Sequence, residues 1–171
     1  MFVVQATAGV SKEEDYRALV AQLGALLAGE TDGLVNAANT AALLHQALPD
    51  LNWVGFYFLR GPELLLGPFQ GRVACARIAL GRGVCGTAAL RRTTQVVPDV
   101  TQFPGHIACD HASRSEVVVP LIHDGKLCGV LDLDSPSLAR FDAADAAGLE
   151  ALMRLFLAGS DLTRLVGGAG A

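Results

Sequence analysis

The sequence is short of charge, and shorter still of positive charge. Charged residues make up 18% of its 171 residues, apolar ones 51%, and the formal net charge is −4. The lysines are Lys12 and Lys126, and the arginines are scattered. Without a basic excess or a basic run the chain has little with which to neutralise phosphates, so nucleic-acid binding is not expected. It also lacks an apolar run that could span a bilayer. The longest uncharged stretch, Gly33 to Pro49, carries Asn36, Asn39, His45 and Gln46. No basic region precedes an apolar core at the N-terminus, so no export signal is read there. The low hydrophobicity and high net charge of a disordered chain are missing too. What remains is one folded cytoplasmic domain, in a compartment that keeps thiols reduced. Close cysteine pairs are absent: Cys75, Cys85, Cys109 and Cys128 are separated by 10, 24 and 19 residues. That spacing does not match a structural zinc site, and no metal is expected.

The pattern that is present alternates between helical and extended periods. Ser11-Lys12-Glu13-Glu14 reads as a capping box, and Tyr16, Leu19, Val20, Leu23, Leu26 and Leu27 follow at helical spacing, with Gly29 as the stop. Asp32 caps a second helix that runs to about Leu48. Asn52 to Leu59, Leu64 to Phe69 and Arg72 to Ile78 read as strands. A short helix spans about Val84 to Arg91, and Gln95 to Val97 is extended. Thr101 to Ser115 is a long polar loop holding His106, Cys109, Asp110 and His111, and a loop that long inside a domain is usually functional. Glu116 to Ile122 and Leu127 to Asp134 flank Asp124-Gly125, a strong hairpin signal. Phe141-Asp142 opens a last helix. Helices at both ends of a block of antiparallel strands give an α+β fold, with residues 1–166 as one domain and 167–171 as a flexible tail.

Three groups carry chemistry. Cys109 sits in the polar loop, Cys85 at the predicted start of a helix whose N–H groups can stabilise a thiolate, and Cys75 in a strand beside Arg77. Cys128, between Leu127 and Gly129, reads as a small buried hydrophobe. Asp132 and Asp134 are two apart in an apolar strand, which places both on one face about 7 Å apart. Two like charges there need a cation or a proton, and a ligand ammonium would serve. Glu116 depends on the hairpin. A two-residue loop at Asp124-Gly125 pairs it with Leu133 and turns it away from the aspartates, whereas a three-residue loop brings it onto their face. Trp53 and Tyr57, four apart, share a strand face.

Taken in order, Ala74-Cys75-Ala76-Arg77-Ile78, Gly81-Arg82-Gly83-Val84-Cys85-Gly86-Thr87-Ala88, Asp99-Val100, Phe103-Pro104-Gly105-His106-Ile107-Ala108-Cys109-Asp110, Ser113-Arg114-Ser115-Glu116 and Gly129-Val130-Leu131-Asp132-Leu133-Asp134-Ser135 closely resemble the free methionine-(R)-sulfoxide reductases, which are single-domain GAF proteins. Asn52-Trp53-Val54-Gly55-Phe56-Tyr57 resembles that family's first strand, and the resemblance covers residues 12–157. It implies a GAF fold: a central antiparallel sheet, terminal helices on one face, and a loop-covered ligand pocket on the other. It implies reduction of free L-methionine-(R)-sulfoxide to methionine, with thioredoxin, served by NADPH and thioredoxin reductase, as the external reductant and no bound cofactor. Carried over residue by residue, Cys109 is the nucleophile, Cys75 the main resolving cysteine and Cys85 an auxiliary one. Glu116, Asp132 and Asp134 hold the substrate, with Glu116 or Asp134 as proton donor. Trp53 and Tyr57 wall the pocket, the indole near the substrate methyl. Cys128 matches no functional position. A homodimer is expected on base rates. The alternative is a non-catalytic GAF module that binds a small ligand, or senses oxidants through Cys109 and Cys75.

Overall fold

Capping residues set the helix starts. The Ser11 side chain accepts from Glu14 N and opens α1 (Lys12–Leu26), and Asp32 accepts from Leu34 N and Val35 N to open α2 (Gly33–Ala47). α3 (Gly83–Arg91) follows a glycine turn, and α4 (Ala143–Gly159) begins with a full capping box between Asp142 and Asp145. This computed structural model describes residues 2–5, 11–106 and 111–167. Cys109, the expected nucleophile, lies outside the described residues, as do residues 168–171 of the expected tail. Gly167, also assigned to that tail, donates its N–H to Leu59 O at 3.0 Å. Among the described residues, no helix is long and apolar enough to cross a membrane.

The strands are β1 (Trp53–Arg60), β2 (Glu63–Gly71), β3 (Arg77–Ala79), β4 (Gln95–Val97), β5 (Ser115–His123) and β6 (Lys126–Ser135). They form one antiparallel sheet in the order β3-β2-β1-β6-β5-β4. α1, α2 and α4 cover one face, where Leu19, Leu23, Leu44 and Phe156 meet Val54, Phe56, Leu131 and Leu133. α3 lies on the other face, against Trp53, Tyr57, Val118 and Val130. This is the α+β layering expected.

Two strands depart from expectation. β3 is three residues long rather than running from Arg72 to Ile78. The carbonyls of Arg72 and Cys75 accept from Trp53 Nε1 at 3.0 Å and Tyr57 OH at 3.1 Å, so side chains, not a strand partner, satisfy them. The hairpin is the second case. Its turn has two residues, Asp124 (φ 50°) and Gly125 (φ 73°), flanked by the pair His123 and Lys126. That length predicted Glu116 opposite Leu133, yet Glu116 pairs with Asp134. The reason is a bulge: Ile122 pairs with Leu127 but Leu121 pairs with Gly129, leaving Cys128 as the extra residue. Past it every β6 side chain changes face relative to an unbroken ladder. Gly129 permits this, since a Cβ there would collide with the Tyr57 carbonyl oxygen of β1. Cys128 is accordingly half-buried against the helix-side core rather than fully enclosed.

Candidate functional site

Three central strands build the floor of the site. Trp53 on β1, Asp134 on β6 and Glu116 on β5 form one cross-strand row, and Gly55, Asp132 and Val118 form the next. Gly55 is needed where it stands, because a Cβ would meet the Trp53 ring and Phe69. The indole lies over that gap, stacked on Phe69 at 5.4 Å and on Tyr57 at 6.0 Å between ring centres. Trp53 and Tyr57 are nearly inaccessible, at 3% and 1%. Their polar tips tie the wall to the segment that carries Cys75, as the backbone contacts above describe.

α3 brings Cys85 over this floor in its first turn. Its Sγ lies 3.9 Å from Glu116 Oε1, and donor atoms of Cys85, Glu116 and Asp132 fall within 4.8 Å of one another. All three residues are buried. Burial, reinforced by Asp132 and Asp134, pushes the Glu116 carboxyl well above the usual carboxylate range. Burial lifts Asp132 to about 7. Both shifts favour the protonated carboxyl, as burial beside a second acid does. Cys85 corrects an expectation. Its place in the first turn of a helix favours a thiolate, but burial first, and Asp132 and Glu116 second, push its thiol well above the ordinary value. Desolvation and two acids outweigh the backbone N–H groups, and Cys85 stays protonated.

The described residues on either side of 107–110 are pinned beside the site. Val100 N donates to Arg114 O at 3.0 Å, and Arg114 N to Ser135 O at 2.7 Å. Asn52 Nδ2 donates to Ser113 Oγ at 3.0 Å. His106 is a member of the site that the sequence reading missed. Its Nε2 lies 3.6 Å from Glu116 Oε2. Burial lowers its pKa, so the imidazole is neutral at pH 7. Only its position in a long polar loop signalled it; the spacing to Cys109 and His111 carries no pattern. Of the expected residues, the structure gathers Trp53, Tyr57, Cys85, Glu116, Asp132 and Asp134 on one face, and Cys75 follows on the adjoining segment, with its carbonyl on Tyr57.

A curled antiparallel sheet with helices on one face and a small polar site beneath a short helix on the other defines a GAF domain. The sequence pattern of the GAF domain family matches residues 37–156. Within that class the chain belongs to the free methionine-R-sulfoxide reductase family. It is 51% identical over 144 residues to the free methionine-R-sulfoxide reductase of Escherichia coli (strain K12), covering 84% of this chain and 87% of the relative. It is 44% identical over 160 residues to that of Saccharomyces cerevisiae, 89% of each chain. The X-ray structure of the Neisseria meningitidis free methionine-R-sulfoxide reductase in complex with its substrate matches with a TM-score of 0.88 at 46% identity, covering 93% of this chain and 95% of that one.

Proposed function

We propose that this protein reduces free L-methionine-(R)-sulfoxide to L-methionine, with Cys109 as nucleophile. The observation that carries this reading is the buried cluster of Glu116, its pKa raised by burial, with Asp132 and the Cys85 thiol beside the Trp53–Tyr57 wall. A sulfoxide sulfur becomes electrophilic when its oxygen is protonated, and the raised pKa of Glu116 suits it to supply that proton. The Cys109 thiolate attacks sulfur, forming an S–S bond as the protonated oxygen leaves as water; water then attacks the Cys109 sulfur, the S–S bond breaks, and methionine leaves with Cys109 as a sulfenic acid. The Cys75 thiol displaces water from it to form a disulfide, and thioredoxin restores both thiols by exchange. Cys85, protonated and enclosed, serves as the auxiliary thiol. Asp132 and Asp134 receive the substrate ammonium. The cycle uses no bound cofactor and suits a reducing cytoplasm.

The acids also account for choice of the free amino acid. An N-acylated substrate brings no ammonium and leaves the carboxylates unpaired, which costs about 2–5 kcal/mol. That corresponds to roughly 30- to several-thousand-fold discrimination. The test is NADPH consumption coupled through thioredoxin and its reductase. The substrates are the free (R) form, the (S) form and the N-acetylated (R) form, with Cys109→Ser as control. Turnover of the free (R) form alone, abolished in Cys109→Ser, is expected. N-acetyl-methionine sulfoxide reduced as fast as the free amino acid overturns the role of the acids. No turnover of any form by folded, reduced protein would leave a ligand-binding GAF module.

A further inference from the structure

The acid cluster also has the donor set of a transition-metal site. Sulfur from Cys85 and one oxygen each from Glu116 and Asp132 converge within 4.8 Å, all from buried residues. Nε2 of His106 approaches the other Glu116 oxygen at 3.6 Å. Asp132 Oδ1 is buried and has no hydrogen-bond partner among the described residues. Beside these groups lies a cavity of about 20 Å³ bounded by Cys85, His106 and Glu116, among others. That volume holds a single small ion or one water. Arg82, the cation on its rim, is exposed to solvent.

Bond lengths make the fit specific. A tetrahedral ion with bonds of about 2.3 Å to sulfur and about 2.0 Å to nitrogen or oxygen holds its ligand atoms roughly 3.3–3.5 Å apart. The Cys85–Glu116 separation, 3.9 Å, needs to close by only a few tenths of an ångström. The sulfur selects against magnesium and calcium, which take oxygen, and favours ions of the zinc class.

We propose that the reduced, substrate-free protein binds a divalent ion of the zinc class through Cys85, Glu116 and Asp132, and that this ion excludes the substrate. The ion would occupy the acids that receive the substrate, so the site is inhibitory rather than catalytic. The competition, unlike the metal site itself, rests on the reading of Glu116 and Asp132 as substrate groups. Metal binding also shields the Cys85 sulfur from oxidation.

Cobalt(II) reports the site without any turnover. Reduced full-length protein, freed of external thiols, is titrated with cobalt and then with zinc. One equivalent of cobalt is expected, with tetrahedral visible bands and a thiolate-to-cobalt charge-transfer band that zinc erases. The charge-transfer band should vanish in Cys85→Ser and survive in Cys109→Ser and Cys75→Ser. Asp132→Asn should weaken binding by about 10- to 100-fold or more, since even outer-shell partners of a metal are worth that much; it carries the test should Cys85→Ser fail to fold. A charge-transfer band that persists in folded Cys85→Ser, unchanged affinity in Asp132→Asn, or no cobalt binding by folded, reduced protein overturns the site. In a separate single-turnover experiment, zinc should suppress methionine formation and a chelator should restore it. Zinc that binds without lowering the yield overturns the competition. Failure to form methionine even without zinc counts against the activity, and the cobalt result is read independently of it.

Discussion

The two faces of this sheet are built by the same strands under opposite rules. On the helix side, Val54, Phe56, Leu131 and Leu133 are fully buried against α1, α2 and α4, and each apolar contact adds stability. One residue further along, the same strands hold Trp53, Tyr57 and Asp132 on the other side. There Glu116 and Asp132 are held together out of water, which opposes folding unless protons or a ligand relieve it. Stability and function are thus separated by the pleat of the strand, residue by residue. The site is held in place by the face that does not take part in it.

The sharpest test of that division is a crossed pair of substitutions. Glu116→Gln should lower kcat/KM for the free sulfoxide by about 30-fold or more, the equivalent of 2–5 kcal/mol. Its resistance to urea should stay the same or rise, because a buried acid is replaced by a neutral isostere. Leu133→Ala should lose about 2–5 kcal/mol of stability in urea while the folded fraction keeps its kcat/KM. If Glu116→Gln destabilises the fold as much as Leu133→Ala does, the two faces are not independent.

The helix-side face was legible in the sequence, because apolar periodicity and caps at Ser11, Asp32 and Asp142 report local physics directly. Trp53, Tyr57, Asp132 and Asp134 were legible as well, since strand alternation alone places each pair on one side. Glu116 was not. The Asp124-Gly125 turn was read correctly, but the face of Glu116 depends on a bulge at Cys128, and a bulge depends on how closely β6 approaches β1. β3 came out too long for a related reason. The partners of the Arg72 and Cys75 carbonyls are Trp53 and Tyr57 side chains about 20 residues away in sequence. His106 meets Glu116 only through the path of a loop.

A subtler contrast between the faces lies in pH. Asp132 titrates near 7 in the folded protein against an ordinary 3.8. The folded state therefore binds more protons than the unfolded chain between those values, and stability falls as pH rises through that window. Asp132→Asn removes this dependence. Urea midpoints measured from pH 4 to 8 should decline more steeply for the parent than for Asp132→Asn, with the variant the more stable at pH 8. Parallel curves would mean that Asp132 is already ionised in the folded protein at low pH. Leu131→Ala, one residue away on the helix side, should lower the whole curve without changing its slope.

The smallest effect is expected at Cys128, and it separates two explanations of the bulge. Its side chain is half-buried on the helix side, with Sγ 3.7 Å from Lys126 O, too long for more than a weak contact. If the backbone makes the bulge, through the close approach that Gly129 allows, the sulfur is dispensable. Cys128→Ala should then cost less than about 1 kcal/mol and leave turnover of the free sulfoxide unchanged, because Glu116 still faces Asp134. If the sulfur holds the extra residue in place, its loss would let β6 slip by one position and turn Glu116 toward the helices. Turnover would collapse while the fold persisted. Unchanged turnover in Cys128→Ala therefore assigns the register, and with it the acid of the site, to glycine and backbone rather than to the fourth cysteine.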